Sequence, residues 1–392
     1  MKQNRCALIL GGYVNGYSII QELYKKNITE IILFDTKRDI ASYSNKIRKF
    51  VLIEKTPDAL CTEIQKLHEN YDYIVIFPTN DLQLEHLHQI YMKISSYCFV
   101  PLNSSNLLQC LDKYTQYEYC EKLGIPYPKT VHINSIEDLD RISSLKYPVL
   151  IKPRKRDDIS TDVFRNLQLQ TRSDLEECFK LIEKHLSGGI TFLASEIIPG
   201  DGSNIYAYVG YRNKEGTILN EWTGKKLSQY PDDFGVFASA SNEAPDEVLY
   251  QGRMLLNGMN LIGIAEPEFK YDFRDGKYKL MEINLRSMMW HRVGNLSGVN
   301  IQYSQYLDAI GEKVEMQNQD KTRRIHFVYL KHEIVNLITR KGYYHTAFHN
   351  LFNADKTVIA LFDPWDLKPF LKDTISTITQ VMGTCLRALS RV

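Results

Sequence analysis

None of the seven cysteines (6, 61, 98, 110, 120, 178 and 385) has a partner at CxxC spacing, and their number is odd. That argues against a zinc site of paired thiolates and against a disulfide framework. Reduced core thiols are the expected state, which points to a reducing, cytoplasmic compartment. Long apolar runs are also missing. The N-terminal run is only Cys6 to Leu10, too short for the core of a signal peptide. No stretch approaches the ~18 apolar residues of a membrane span. Charge of one sign is absent too: 48 basic and 47 acidic residues leave a net +1. No bulk field draws in nucleic acid, and the plentiful tyrosines are spread along the chain rather than set in a basic–aromatic module. What remains is an ordinary globular composition, 44% hydrophobic and 24% charged over 392 residues, enough for two or three structural units.

The first hundred residues alternate strand and helix patterns. CALIL (6–10), EIILFD (30–35), KFVLIE (49–54) and DYIVIFP (72–78) read as buried strands. VNGYSIIQELYKKN, from Val14, and PDALCTEIQKLHENY (57–71) read as helices between them. This predicts a parallel, doubly wound sheet, with ligands beyond the carboxyl ends of its strands. Gly11-Gly12, Asp35 and Thr79-Asn80-Asp81 fall at those ends. Gly11-Gly12-Tyr13-x-x-Gly16 is not GxGxxG, so a dinucleotide fingerprint is absent and a nicotinamide oxidoreductase is disfavoured.

Further along, DKYTQYEYCEKL (112–123) predicts a helix stopped by Gly124. Residues 135–146 predict a short helix, YPVLIKP (147–153) a strand, and 174–186 another helix. Strands are expected at 191–198, 205–212, 217–222, 264–271 and 277–283, with helices near 245–258 and 298–310. FRDGKY (273–278) carries the Asp-Gly of a hairpin.

The densest chemistry is EPEFKYDFRDGKYKLMEINLR (266–286). Alternate strand residues share a face, so Glu282 and Asn284 point together, and an antiparallel partner can bring Glu268 beside them. Three oxygen donors without His or Cys suit magnesium or manganese. Arg286 follows on that face and could hold a phosphate. Taken by composition alone, these acids read equally as a solvated hairpin face. Their apolar neighbours argue otherwise, because unpaired buried acids are costly. Lys152 ends the YPVLIKP strand and could place an ammonium on phosphates. Lys113 opens the 112–123 helix. ASEIIPG (194–200) is a strand becoming a turn, able to offer backbone groups to a base edge.

The order Lys113, Lys152, the Glu196 strand, Glu268, then Glu282-x-Asn284-x-Arg286 resembles the ATP-grasp superfamily over roughly residues 1–310. More narrowly, LILGGYVNGYSII, EWTGKKLSQYPDDFG and MEINLRSMMWHRVGNLSGVNI are similar to the carboxylate–amine ligases of cell-envelope pathways, a group that includes D-aspartate ligase. The resemblance implies a mixed α/β and α+β architecture: a Rossmann-like domain (1–105), a small central lobe (106–190), a larger lobe bearing the metal site (191–315) and an extension (316–392). It implies ATP with magnesium or manganese as cofactors. Lys113 and Lys152 would meet the phosphates; Glu196, Ile197 and Ile198 the adenine; Asp201 or Asn204 the ribose. Glu268, Glu282 and Asn284 would bind metal. Arg286 would stabilise the transferred phosphoryl group, with Lys226 beside substrate or phosphate, together with Lys225 and Gln229. The expected partners are a small carboxylate and an amine, or a saccharide precursor, and homodimers are common in this group.

One departure stands out. The loop after the second lysine, RKRDDISTDVF, has no glycine and would clamp phosphate through Arg154, Lys155, Arg156 and Arg165. This loop, 154–166, and the segment 227–240 are the expected lid. The competing reading is a sensor that binds ATP without turnover. The tail 366–392 is apolar at helical spacing and ends with Arg387 and Arg391. Packing on its own domain is the first reading; contact with a membrane or partner is the other.

Overall fold

A computed structural model describes residues 3–154, 162–232 and 235–389. Five strands open the chain: β1 (Gln3–Leu10), β2 (Ile31–Asp35), β3 (Lys49–Leu52), β4 (Tyr71–Phe77) and β5 (Cys98–Phe99). They form a parallel sheet in the order β3-β2-β1-β4-β5. Cys6 through Leu10 are buried, as expected of a parallel strand. The connecting helices are α1 (Val14–Lys25), α2 (Pro57–His68) and α3 (Asp81–Ile94). Thr56 caps α2 and Pro57 occupies its first turn. Asn80 and Gln83 close a capping box on α3. Two glycines of the β1–α1 turn are fixed by space. Gly11 has φ +91°, and a Cβ there would meet Thr79 Oγ1 at 2.3 Å; one on Gly16 would lie 2.0 Å from the Gly11 carbonyl oxygen.

The described chain divides into two compact units. The smaller comprises Leu108–Gly200 and Phe269–Ile283. Helices α4 (Leu107–Leu111) and α5 (Lys113–Leu123) lead into β6 (Thr130–Ile133), β7 (Val149–Pro153), β8 (Leu167–Leu169), α6 (Arg172–Ser187) and β9 (Phe192–Glu196). The four strands make an antiparallel sheet, order β6-β9-β7-β8. Its core includes Val131, Ile133, Val149, Ile151, Ile182 and Phe192. The short helix expected at 135–146 is a 3-10 helix over Glu137–Ser144.

The larger unit holds the N-terminal sheet, Asp201–Glu268 and Asn284–Val392. Its remaining elements are β10 (Ile205–Arg212), β11 (Ile218–Tyr230), β12 (Val236–Ser241), α7 (Asp246–Gly258), β13 (Gly263–Asp272), β14 (Lys277–Asn284), α8 (Arg292–Leu296), α9 (Ile301–Ala309), β15 (Ile325–Val328), α10 (Leu330–Thr339), α11 (Tyr344–Phe352), β16 (Lys356–Ile359) and α12 (Leu367–Leu389). Of these, β13 from Phe269 onward and β14 up to Ile283 belong to the smaller unit. The sheet order is β14-β13-β10-β11-β12-β15-β16, so the C-terminal stretch supplies its last two strands. Buried Glu333 of α10 accepts from Ser228 Oγ (2.6 Å), Ser239 Oγ (2.5 Å), Asn350 Nδ2 (3.0 Å) and Tyr343 Oη (2.9 Å). That carboxylate fastens α10 and α11 to β11 and β12.

β11 runs past the expected 217–222 to Tyr230. Most of the segment 227–240, expected as a lid, is therefore strand: its start lies in β11 and its end in β12, whose ladders hold it. Residues 233–234 of that segment lie outside the described residues, as do Lys155 and Arg156 of the 154–166 loop.

Candidate active site

In the smaller unit, α5 aligns Lys113, Gln116 and Tyr117, three and four residues apart and hence on one helix face. All three reach the end of β14. Lys113 Nζ donates to Glu282 Oε2 at 2.5 Å, with both side chains about one-third exposed. The buried Gln116 amide accepts from the Ile283 N–H (2.9 Å) and donates to its carbonyl (3.2 Å), while Tyr117 Oη donates to the Met281 carbonyl (3.1 Å). Glu282 is thus held on a backbone clamped on both sides. Lys152 lies in the same electrostatic neighbourhood. Burial pulls its pKa down to about 8, and positive Lys113 adds to that, against the pull of Glu282. Asp112 caps α5 through Tyr114 N (2.7 Å) and holds Arg154 Nε at 3.0 Å, so the start of the charged loop is anchored.

The strand expected to line a base ends at Glu196. Its N–H donates to the Lys129 carbonyl (3.0 Å) and that of Ile197 to Pro148 (2.9 Å), so these two N–H groups serve the sheet. The Glu196 carboxylate accepts from Lys146 N at 2.9 Å, and Ile198 is buried. A base would draw on other backbone groups of this stretch.

In the larger unit a second lysine–acid pair lies in the seven-stranded sheet. Lys226 from β11 and Glu268 from β13 meet across β10 at 2.8 Å, both side chains nearly inaccessible. The β11–β12 ladder shifts register at Lys226–Ser228 and again at Ser228–Gln229, a bulge of the kind that re-aims side chains. Glu266, two residues before Glu268 and therefore on the same face, is fully buried and pairs with His291 Nε2 at 2.6 Å. Asn284 Nδ2 lies 3.5 Å from its other oxygen. Sequence reasoning passed over Glu266, although the E-x-E alternation signalled it. Arg286 forms a two-pronged pair with Asp81, Nε to Oδ1 at 2.7 Å and Nη2 to Oδ2 at 3.3 Å. Lys225 is half-buried, whereas Gln229 is buried and its carbonyl accepts from Asn336 Nδ2 at 3.1 Å. Trp290 packs edge-to-face on Trp222, centroids 5.3 Å apart. Asp201 caps the turn Gly202–Asn204 through Ser203 N (2.9 Å) and Ser203 Oγ (2.6 Å).

A cavity of about 340 Å³ opens beyond the carboxyl ends of the N-terminal sheet. Gly11, Gly12, Asp35, Thr79, Asn80 and His86 are among its lining, so the glycine pair and Asp35 stand where the alternating pattern put a ligand site. Asp35 accepts from Gly12 N and Thr36 N, both at 2.6 Å.

No family model matches the sequence. The solved N5-carboxyaminoimidazole synthetase of Staphylococcus aureus, complexed with ADP, superposes with a TM-score of 0.61 at 16% identity, covering 83% of this chain and 82% of that one. The L-amino acid ligase of Bacillus licheniformis superposes with a TM-score of 0.59 at 13% identity, covering 83% and 79%. This chain has the ATP-grasp fold. In sequence, the chain is 28% identical over 267 residues to the D-aspartate ligase of Enterococcus faecium (strain Aus0004), a match that spans 63% of the chain and 62% of that relative. The chain holds Lys113 with Glu282 and Lys226 with Glu268 as separate ion pairs, one in each compact unit. Among the described residues no helix is long and apolar enough to cross a membrane.

Proposed function

We propose that this chain is an ATP-dependent ligase that joins a carboxylate to an amine through an acyl phosphate, releasing ADP and phosphate. The observation that carries the reading is the pairing of carboxylate with lysine at both centres, Glu268 with Lys226 and Glu282 with Lys113. Neither a buried pair, as at Glu268, nor a part-exposed one, as at Glu282, brings much stability by itself. The pairing is the arrangement expected of a site that exchanges partners, the carboxylates turning to a cation and the lysines to phosphate oxygens. Lys152, whose pKa burial lowers to about 8, would be held in its charged form by a neighbouring phosphate.

Glu268, Glu282 and Asn284 offer only oxygen donors to a metal, which suits a hard divalent ion such as magnesium or manganese. When bound, that ion would neutralise charge on the phosphate oxygens. The chain's own residues do the rest. Lys113 and Lys152 would hold the phosphates, and Arg286, steadied by Asp81, would meet charge on the transferred group. Glu196, Ile197 and Ile198 would flank the adenine, and Asp201 or Asn204 the ribose. The substrate carboxylate oxygen attacks the γ-phosphorus as the bond to ADP breaks. The amine then attacks the acyl carbon, phosphate leaves, and the amine nitrogen gives up a proton.

The resemblance to D-aspartate ligase supports an amino acid as the carboxylate and an amine of an envelope or saccharide precursor as acceptor. Dependence on ATP supports a cytoplasmic location, and we propose a homodimer. Hydroxylamine tests the acyl phosphate directly, since it captures that intermediate as a hydroxamate. Hydroxamate formed with ATP and the acid alone supports the reading. ADP release with no hydroxamate from any acid tested would refute it.

A further inference from the structure

Helix α12 sets Asp373 and Thr377 inward with Pro369 and the half-buried Phe370, and turns a stripe of aliphatic side chains outward, where an ordinary surface helix is polar. Facing the protein are Asp366, just before the helix, then Asp373 and Thr377. Asp366 accepts from Ser44 Oγ (2.5 Å), Asn45 N (3.0 Å) and Tyr17 Oη (3.2 Å); Asp373 accepts from Tyr329 Oη (2.9 Å). Facing away are Leu367, Leu371, Ile375 and Ile378, at spacings that make one continuous stripe, with Ile375 62% exposed. Trp365, 83% exposed, and Phe362 stand at the head of that stripe.

The charges of this C-terminal stretch are sorted by sign. Between residues 330 and 379 the carboxylates of Glu333, Asp363, Asp366 and Asp373 are buried, whereas Lys341, Lys356, Lys368 and Lys372 are exposed. Asp355 is the one exposed acid among the described residues of that stretch. An exposed apolar stripe headed by tryptophan and flanked by lysines is the chemistry of a helix lying in a bilayer interface. Exposed lysines without acids add attraction to negative headgroups.

We propose that α12 and the Trp365 turn dock this protein on an anionic lipid surface. A second copy of the chain is the rival occupant, since residues 371, 375 and 378 keep coiled-coil spacing. In that pairing Lys368 would fall on the seam and Lys372 beside it, with no exposed acid on the helix to match them.

The full chain reports on this by itself, because Trp222 and Trp290 are buried and Trp365 is not. The experiment adds vesicles of mixed phosphatidylglycerol and phosphatidylcholine, or of phosphatidylcholine alone, and reads tryptophan emission and co-sedimentation. The expected result is a shift to shorter wavelength and sedimentation with the anionic vesicles only. Raising salt from about 0.1 M to about 1 M, which shortens screening from ~10 to ~3 Å, should weaken both. Leu371→Gln with Ile375→Gln should weaken vesicle binding about tenfold or more, with ADP formation unchanged. Equal binding to neutral vesicles overturns the anionic assignment. No binding to either vesicle, with the double variant abolishing a dimer seen by sedimentation, assigns the face to a second copy and overturns the proposal.

Discussion

Lys226 Nζ lies 2.8 Å from Glu268 Oε2, and the two side chains are 7% and 5% exposed. Removing one partner of such a pair leaves an uncompensated buried charge. Lys226→Ala should therefore destabilise the chain by about 3 kcal/mol, read from urea unfolding. Glu268→Gln, which keeps shape and a hydrogen-bond acceptor, should cost less stability but lower kcat about a hundredfold or more.

Glu282 differs from Glu268 in being one-third exposed, on a backbone held by Gln116. Its loss should hurt the chemistry and not the fold. Glu282→Ala should melt within a few degrees of the parent and lose about a hundredfold in kcat. Full activity in that variant would show the metal assignment to be wrong.

Lys152 gives a pH dependence with a definite sign. In the free protein its pKa is lowered by burial to about 8, below the ordinary 10.5. The unfolded chain keeps that proton between the two values, so this group's contribution to stability rises with pH across that window. Phosphate beside the ammonium raises the pKa again, so nucleotide binding should take up a proton just above pH 8 and weaken as pH rises further. Calorimetry in buffers of different ionisation enthalpy measures the uptake, which Lys152→Met should abolish.

Glu333 tests the C-terminal stretch. Four donors converge on this buried carboxylate. Glu333→Ala would leave them without their acceptor and should cost about 3 kcal/mol, read as a lower urea midpoint. Glu333→Gln should cost about half of that.

Gly16 is a matter of space. A Cβ there would lie 2.0 Å from the Gly11 carbonyl oxygen, which is backbone and cannot swing aside. Gly16→Ala should destabilise by about 2 kcal/mol. Gly124, whose Cβ would meet nothing within 4 Å but whose φ is +68°, should cost only about 1 kcal/mol as alanine.

The parallel sheet was legible because β1, β2 and β4 are short apolar runs between helical patterns. β10 was read to the residue, Ile205–Arg212. The far half of β11 was not. EWTGKKLSQY alternates too little, because Lys226 and Ser228 face buried polar partners rather than an apolar core. β15 and β16 escaped notice for another reason: only four residues long each, they are strands by virtue of a ladder that joins distant parts of the chain. At the site, the E-x-N alternation of Glu282 and Asn284 was visible in sequence. The lysine partners of Glu282 and Glu268 come from 169 residues away in the first case and from two strands across in the second, distances that local pattern does not encode. α12 was legible as amphipathic; which face would be outside depended on Asp366 and Asp373 finding buried donors.

The central claim is acyl-phosphate ligation, and the identity of the nucleotide product tests it most directly. Purified protein, ATP and magnesium would be incubated with a matrix of carboxylates and amines that includes D-aspartate, other D-amino acids and uronic acids, and the nucleotides separated by chromatography. ADP appearing only when one acid and one amine are both present is the predicted result, and it would name the substrates. AMP with pyrophosphate, or ADP formed at the same rate whatever acid and amine are supplied, would contradict the account.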